Sequence, residues 1–296
     1  MIVESFRPGV MDRLGVGWEA LSRENPRLVL CSISGYGQTG PYRDRAGHDL
    51  NYIALAGVLG MGGARDGDPV VPAVQIADLA GGALWSAVGI LAALHAARET
   101  GRGRVVDVSM CEGALALLIP DLGNYDASGR PPRRGEELLN GGAACYGVYR
   151  TRDGKHLSVA PLEPKFWAAF NAAIGRPVDL SELVGPPEAQ ARVRAEIQAI
   201  LVTRTRDEWE AHFAAGGADT CVEPILDAEE LAAHPQHAAR GVFFKIGGLG
   251  QVRTPFGRAN GHTAPPALGE HGAAILGEAG FSADEVAALR AAGATR

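Results

Sequence analysis

Cysteine is scarce in this sequence of 296 residues, and its four copies lie far apart. No two of them form a CxxC pair, so their spacing favours neither a zinc site nor a disulfide framework. We therefore expect buried free thiols, as in a protein of the reducing cytoplasm, and we predict no metal site. The four are Cys31, Cys111, Cys145 and Cys221.

Three motifs that mark well-known chemistries are also missing. The phosphate-binding pattern GxxxxGK[ST] is absent, because Gly154 and Lys155 are followed by His156. The sequence contains neither HExxH nor GxSxG. These absences argue against P-loop chemistry, zinc-protease chemistry and the nucleophile elbow of the α/β-hydrolases.

An excess of basic charge is lacking as well. The 28 lysines and arginines are outnumbered by 34 aspartates and glutamates, which gives a formal net charge of −6. Nucleic-acid binding needs a basic face, so we predict no nucleic-acid partner. A local basic site for a phosphorylated small molecule is compatible with this balance.

No long, unbroken apolar run is present. The most apolar long segment, 79–97, is interrupted by Gly81, Gly82 and His95, so we expect a buried helix and no membrane span. The first ten residues, MIVESFRPGV, have no apolar stretch after a basic one, so we expect no signal peptide. Together with the free thiols, these features predict a cytoplasmic protein.

Predicted strands and helices alternate in the first part of the chain. RLVLCSIS at 27–34 and VVDVSM at 105–110 are short runs of β-forming residues and predict strands. Between them, LAGGALWSAVGILAALHAARE predicts a helix of about five turns. This alternation predicts a large α/β domain with a mainly parallel sheet over residues 1–124.

The composition changes after residue 124. Residues 125–145 are rich in proline, glycine and arginine and predict a linker. Two alternating runs around Asp153 and Gly154 then predict a hairpin, and helical patterns follow it. We therefore predict a smaller α+β domain over 146–245, and a C-terminal segment, 246–296, that returns to the large domain.

Three titratable residues stand where predicted extended chain meets a predicted helix: His48, Asp78 and Glu163. Such element ends are where α/β proteins place ligands. Each position also has a purely structural interpretation. Asp78 is suited to cap a helix, as is Asp49 beside the histidine, and a glutamate before Pro164 is typical of a solvated helix start. Spacing alone leaves both interpretations open.

Six separated stretches carry a further signal. In chain order they are ESFRPGVMDRLGVGWEAL, PRLVLCSISGYGQTGPY, AGHDLNYIALAGVLG, ADLAGGALWSAVGILAAL, GRGRVVDVSM and LGEHGAAILGEAGFSADEVAALRAAG. Together they resemble the family III CoA-transferases over nearly the whole chain, and within that superfamily they are most similar to the α-methylacyl-CoA racemases. The resemblance implies a Rossmann-like large domain plus a smaller α+β domain. It also implies that the large domain is incomplete at its N-terminus, because family members carry more chain before the FRPG motif.

The resemblance also implies roles for the candidate residues. The histidine of GHD, His48, is typical of the racemases, whereas the aspartate at position 78 occurs in racemases and transferases alike. Glu163 in APLEPKFW matches the racemase glutamate that supports the histidine. The implied reaction is a 1,1-proton transfer at Cα of a 2-methylacyl-CoA thioester through an enolate. The alternative is CoA transfer, with Asp78 as the nucleophile that forms acyl-anhydride and CoA-thioester intermediates; Val74, where racemases commonly have asparagine, keeps it open.

Binding partners are implied by the same resemblance. Arg7 in FRPG matches a family arginine near the CoA phosphates, and Asp49 and Tyr52 match positions that line the CoA channel. An acyl-CoA substrate is expected, with no metal or redox cofactor, since CoA is part of the substrate. Family members form interlocked homodimers with the active site between the large domain of one chain and the small domain of the other. Glu163 is therefore expected to come from the partner subunit.

Overall fold

A computed structural model describes residues 1–257 and 261–295 of the chain. By its internal contacts the chain divides into two compact units, Met1–Ile225 and Leu226–Arg296. The boundaries predicted from the sequence, with a linker over 125–145 and a small domain over 146–245, stay predictions. Residues 258–260 and Arg296, in the predicted C-terminal segment, lie outside the described residues.

A three-stranded parallel sheet forms the centre of the first part of unit 1. Its strands are β1 (Ile2–Glu4), β2 (Val29–Ser34) and β3 (Arg104–Ser109), in the order β1-β2-β3. The central strand β2 is almost wholly buried, as its continuous run of apolar and small residues predicts. Both strands predicted in this region are therefore present.

Helices and short turns connect these strands. The stretch GYGQTG directly after β2 has the spacing GxGxxG, but the next helix begins only at Asp49. It therefore lacks the strand–turn–helix context of a dinucleotide-binding fingerprint.

The helices of this part of unit 1 are α1 (Val10–Arg13), α2 (Trp18–Glu24), α3 (Asp49–Leu55), α4 (Val58–Met61), a π-helical segment (Ala77–Leu84), α5 (Trp85–Thr100), α6 (Met110–Ala116) and α7 (Ile119–Ser128).

The π-helical segment runs directly into α5 and packs very closely on α6. A Cβ atom added to Gly81 would lie 2.5 Å from the carbonyl oxygen of Met110 and 2.8 Å from the backbone nitrogen of Ala114. Both neighbours are backbone atoms, which cannot rotate away. π-Helical turns are rare and are found mostly at functional sites. Because Gly81 has no side chain, the π-helical segment can pack directly against the backbone of α6.

Replacing Gly81 with alanine is expected to lower the free energy of unfolding by about 1–3 kcal/mol, because the added methyl group overpacks this contact. Chemical denaturation measures the change. Gly123 in α7 provides a matched control, since a Cβ added there meets nothing within 4 Å. Gly123→Ala is expected to stabilise the chain by up to about 1 kcal/mol, because alanine is the better helix former. Equal effects at the two sites would contradict the close packing.

The second part of unit 1 contains a three-stranded antiparallel sheet. The predicted hairpin around Asp153 and Gly154 is present, and Thr205 and Glu208 form the capping box of the helix that follows them. A large aromatic cluster, including Trp167, Phe170 and Trp209, forms the core. The elements are a short π-helical turn (Leu138–Gly142), β4 (Gly147–Arg150), β5 (His156–Val159), α8 (Pro164–Ala173), a 3₁₀ turn (Leu180–Leu183), α9 (Pro187–Leu201), α10 (Arg206–Gly216) and β6 (Val222–Pro224), with strand order β4-β5-β6.

Within the residues that the structure describes, unit 2 combines a hairpin with three helices. Ser282 and Glu285 form a capping box that fixes the start of its last helix. The elements are α11 (Pro235–Ala239), β7 (Phe243–Ile246), β8 (Leu249–Val252), α12 (Gly272–Glu278) and α13 (Ala283–Ala291).

One helical stretch within the described residues, Ala77–Thr100, is long and apolar enough to cross a membrane by length and composition alone. The core helix of a soluble protein passes the same test, so this is weak evidence. The stretch is less buried than the sequence predicts, since 22% of its most apolar window lies inside the chain. Its exposed side chains include Leu84, Val88 and Leu91, which are 65%, 57% and 67% exposed.

Candidate active site

His48 lies at the N-terminal cap of α3, in extended backbone conformation. Its backbone N–H donates to Oδ1 of Asn51 at 3.0 Å, and the Asn51 N–H donates back to the His48 carbonyl oxygen at 2.8 Å. This reciprocal pair fixes the backbone at the helix start. The residue itself is exposed, so its imidazole is accessible to a ligand.

Tyr52 supports the histidine from within the core. It is buried, and its hydroxyl donates to the carbonyl oxygen of Gly47, the residue before His48. The ring packs so tightly that a Cβ atom on Gly47 would lie 2.8 Å from it. Tyr36 packs edge-on against the same ring, with 5.1 Å between centroids. Gly47 and Tyr36 were missed by the sequence reasoning, although a glycine directly before His48 is a signal of close packing.

Asp49 joins the start of α3 to the π-helical segment. Its Oδ1 accepts a hydrogen bond from the backbone N–H of Asp78 at 3.0 Å. Asp78 lies inside the first turn of that segment, whose N-cap is Ile76. The interpretation of Asp78 as the helix cap is therefore wrong, because the capping carboxylate comes from Asp49. The side chain of Asp78 is left for other chemistry.

The surroundings of Asp78 make its carboxyl group easier to protonate. Partial desolvation, and then the negative charge of Asp49, raise its pKa above the usual range, while the charge of His48 acts in the opposite direction. Burial, and to a smaller extent the charges of Tyr36 and Asp78, likewise raise the pKa of Tyr52. These mutual effects place His48, Asp49, Tyr52 and Asp78 in one electrostatic neighbourhood.

A cavity of about 490 Å³ opens beside His48 and the rim of the sheet. Its lining includes three arginines, Arg7, Arg43 and Arg45, in addition to His48 and Tyr52. The guanidinium of Arg45 also lies 3.8 Å from the ring centroid of Tyr42. Three guanidinium groups in one cavity suit a polyanionic ligand. Of the residues predicted to bind CoA, Arg7 and Tyr52 line this cavity. Asp49 is not among the lining residues and instead accepts the hydrogen bond from Asp78.

Glu163 lies in the second part of unit 1, at the N-cap of α8. Its side chain is exposed and makes no capping hydrogen bond. No hydrogen bond or ion pair within residues 1–257 and 261–295 joins it to His48 or Asp78. The structure of one chain thus brings together His48, Asp49, Tyr52 and Asp78, while Glu163 makes no hydrogen bond or ion pair with them among the described residues.

Comparison with known proteins identifies the family. The model of the CoA-transferase family III matches residues 1–272. The chain belongs to CoA-transferase family III. It is 35% identical over 292 residues to the α-methylacyl-CoA racemase of Homo sapiens, and this match covers 97% of this chain and 76% of that protein. It is also 35% identical over 301 residues to the acetyl-CoA:oxalate CoA-transferase of Acetobacter aceti, and this match covers 96% of this chain and 74% of that protein.

The fold agrees with the family. A crystal structure of a CAIB/BAIF family protein from Brucella suis matches 94% of this chain and 75% of that chain, with a TM-score of 0.76 and 29% sequence identity. The predicted fold class of the CoA-transferase family III is therefore confirmed. The chain is an enzyme of the family III CoA-transferase and racemase type.

The histidine, cysteine and acidic side chains of this family III chain also bear on its chemistry. Among the described residues, no group of three or more histidine, cysteine, aspartate or glutamate side chains is arranged to hold a metal ion. All four cysteines are free thiols. Burial is the main reason why the pKa of each thiol lies above its usual value. These thiols are therefore protonated at neutral pH, which disfavours nucleophilic cysteine chemistry.

Proposed function

We propose that this chain is an α-methylacyl-CoA racemase, which moves a proton from one face of Cα to the other in a 2-methylacyl-CoA thioester. The observation that carries the proposal is that His48 and Asp78 lie in one electrostatic neighbourhood, joined through Asp49. Racemisation at a carbon acid needs two such groups on opposite sides of a planar intermediate. An imidazole and a carboxyl group with a raised pKa suit that task near neutral pH.

In the proposed reaction, His48 takes the Cα proton onto a ring nitrogen. The electron pair of the C–H bond moves into the thioester carbonyl, which gives an enolate. Protonated Asp78 then donates its proton to the opposite face of Cα. The reverse direction uses the same two groups with their protonation states exchanged. The raised pKa of Asp78 supports this role, because a donor must hold its proton until the enolate forms.

The arginine-lined cavity beside His48 is the proposed site of the CoA phosphates. Arg7, predicted from the sequence, acts there with Arg43 and Arg45. Tyr52 contributes to the wall and holds Gly47, and Asp49 acts mainly by orienting the backbone of Asp78. No metal or redox cofactor is part of the proposal, because acid–base chemistry on a thioester α-carbon needs neither.

The complete site is proposed to form in an interlocked homodimer, in which Glu163 from one chain supports His48 of the other. This arrangement is supported by the side chain of Glu163, which is exposed and makes no capping hydrogen bond, so its carboxylate is available to another chain. The exposed apolar side chains of Leu84, Val88 and Leu91 support it too, because exposed apolar patches mark association surfaces. We place the enzyme in the cytoplasm, with no nucleic-acid partner and no association with membranes.

A CoA-transferase is the second candidate. In that reaction the carboxylate of Asp78 attacks the acyl carbon of the thioester, which releases the CoA thiolate and forms an acyl anhydride. The thiolate then attacks the Asp78 carbonyl carbon, which releases the acyl carboxylate and forms an Asp78–CoA thioester that passes CoA to the acceptor acid. Two observations favour it: Asp78 is exposed, and a transferase is as similar to this chain as a racemase is. The two reactions differ in the fate of the Cα proton.

Incubation with a 2-methylacyl-CoA in D₂O tests the proposal. We expect deuterium to enter at Cα without an acceptor acid, and a single enantiomer to lose optical purity at a matching rate. A transferase instead consumes an acceptor acid and forms an adduct on Asp78 that hydroxylamine releases. Mass spectrometry distinguishes the two results. Adduct formation without Cα exchange would establish the second candidate and reject the first.

A further inference from the structure

Cys221 has an unusual backbone. It is the only non-glycine residue with a positive φ among those that the structure describes, at 50°. A side chain with a Cβ atom rarely adopts this left-handed conformation, and such residues cluster at functional sites. Cys221 immediately precedes β6, so the strained residue lies at the end of the antiparallel sheet.

Asp219 stabilises this conformation. Its Oδ1 accepts a hydrogen bond from the backbone N–H of Cys221 at 3.2 Å and lies 3.7 Å from the Cys221 sulfur. The N–H is thereby turned away from β5. The carbonyl oxygen of Cys221 still accepts the N–H of Ala160, at 2.9 Å. The last pair of the ladder between β5 and β6, Ala160 and Cys221, is therefore joined by one backbone hydrogen bond in place of the two that such a pair can form.

The point where this ladder ends determines where Glu163 begins its helix. The N–H of Leu162 donates to the carbonyl oxygen of Ala160 at 2.9 Å, which closes a tight turn directly after the last ladder bond. Pro164 then restricts Glu163 to extended backbone, at φ −87° and ψ 146°. The N–H of Trp167 donates to the Glu163 carbonyl oxygen at 3.0 Å. The Glu163 carboxylate takes part in none of these backbone bonds.

Cys221 and Glu163 are also close in space. Burial raises the pKa of the Cys221 thiol, Asp219 adds to that increase, and the charge of Glu163 adds a smaller part. The same neighbourhood therefore contains the strained residue, the carboxylate that stabilises it and the glutamate that the racemase reaction requires.

We propose that Asp219 is a positioning residue for Glu163, acting through the left-handed Cys221 and the Ala160 hydrogen bond. The proposal rests on the proposed function, in which Glu163 supports His48 of the other chain. Asp219 does not touch substrate in this account. It fixes the end of the β5–β6 ladder and hence the place from which the Glu163 carboxylate projects.

Four variants test the proposal in the D₂O exchange assay. Asp219→Ala is expected to lower kcat by about 10- to 100-fold with little change in KM, because a catalytic group displaced by about 1 Å loses that much. Asp219→Asn keeps an oxygen acceptor for the Cys221 N–H and is expected to stay within about threefold of wild type. Glu163→Gln combined with Asp219→Ala is expected to be no slower than Glu163→Gln alone, since both changes remove one function. Multiplied losses in the double variant would overturn the proposal.

Ser158→Ala is the matched control. Its Oγ donates to the Glu223 carbonyl oxygen at 3.1 Å, so it joins the same two strands without touching the turn before Glu163. We expect this variant to keep the wild-type kcat. A loss equal to that of Asp219→Ala would mean that general weakening of the sheet, and not positioning, causes the effect.

Amide hydrogen exchange provides a readout that does not depend on catalysis. In Asp219→Ala, the amides of Ala160 and Leu162 are expected to exchange at least about tenfold faster, because the bonds that protect them loosen. Ser158→Ala should leave them unchanged. Unchanged amides in Asp219→Ala would overturn the positioning role even if the racemase reaction is established. Absence of Cα exchange in the wild-type enzyme would instead reject the proposed function, and the amide result would still decide the positioning role.

Discussion

Replacing His48 with alanine is expected to lower the rate of Cα deuterium exchange by about 10²–10⁴-fold, because the variant loses the group that abstracts the proton. The effect should fall on kcat, since the imidazole does not hold the CoA phosphates in the proposed site. Binding of CoA itself, measured by calorimetry, is expected to stay close to wild type. The hydrogen bonds at the start of α3 use the backbone of residue 48 and the side chain of Asn51, so folding should be preserved.

His156 provides the control for this experiment. It is an exposed histidine at the start of β5 in the same unit, so His156→Ala removes an exposed imidazole that is neither in the site nor on the exposed face of α5. We expect wild-type exchange in that variant. Exchange in His48→Ala that stays within about threefold of wild type would rule out a role for this histidine as the base. If CoA transfer persisted there at the same time, Asp78 would be acting alone as a nucleophile.

The fold was predictable wherever local pattern and burial agree. The apolar run at 27–34 contains β2, and the hairpin predicted around Asp153 and Gly154 is present, because both signals act over a few residues. The π-helical turn was not predictable in this way. It depends on the contact between Gly81 and the backbone of α6, which lies about 30 residues further along the chain.

In the candidate site, too, local sequence signals were predictable and contacts between distant residues were not. His48 and Asp78 were predicted from their motifs and their places at element ends, and their catalytic roles stay predictions. The role of Asp49 was not, because its bond to the Asp78 N–H joins residues 29 positions apart. A carboxylate next to a histidine looks the same in sequence whether it caps its own helix or a distant one. Glu163 illustrates the opposite case, since its motif is local but its predicted role requires a second chain.

Replacing Asp78 with asparagine is expected to lower Cα exchange by at least about 100-fold, because an amide cannot donate the proton that completes the transfer. The same variant should lose any hydroxylamine-trappable adduct, so both candidate reactions require this residue. The two candidate reactions differ in the Cα exchange that the Asp78→Asn variant retains. A racemase that still has His48 is expected to retain slow one-sided wash-in of deuterium at Cα, whereas a transferase retains none.

The stability of Asp78→Asn should change in the direction opposite to its activity. The folded protein raises the pKa of Asp78, so the ionised carboxylate opposes folding above that pKa. Removing the charge ends its repulsion with Asp49, while the backbone N–H of residue 78 can still donate to Asp49. The Tm of the variant is therefore expected to match or exceed that of wild type at neutral pH. The difference should fade as pH falls below the pKa of an unfolded aspartate, where both forms are uncharged.

Asp49→Asn separates the charge of Asp49 from its hydrogen bond. The amide oxygen can still accept the N–H of Asp78, but the charge that helps to raise the pKa of Asp78 is gone. That pKa should fall. In the reaction direction in which Asp78 accepts the Cα proton, its carboxyl group must be ionised, so the acid-side limb of the pH profile of kcat is expected to move to lower pH. A limb that stays in place, or moves to higher pH, would mean that Asp78 does not titrate in the catalytic step. Because the negative charge of Asp49 is one of the two causes that raise the pKa of Asp78, removing that charge is the most direct test of whether the Asp78 proton is used.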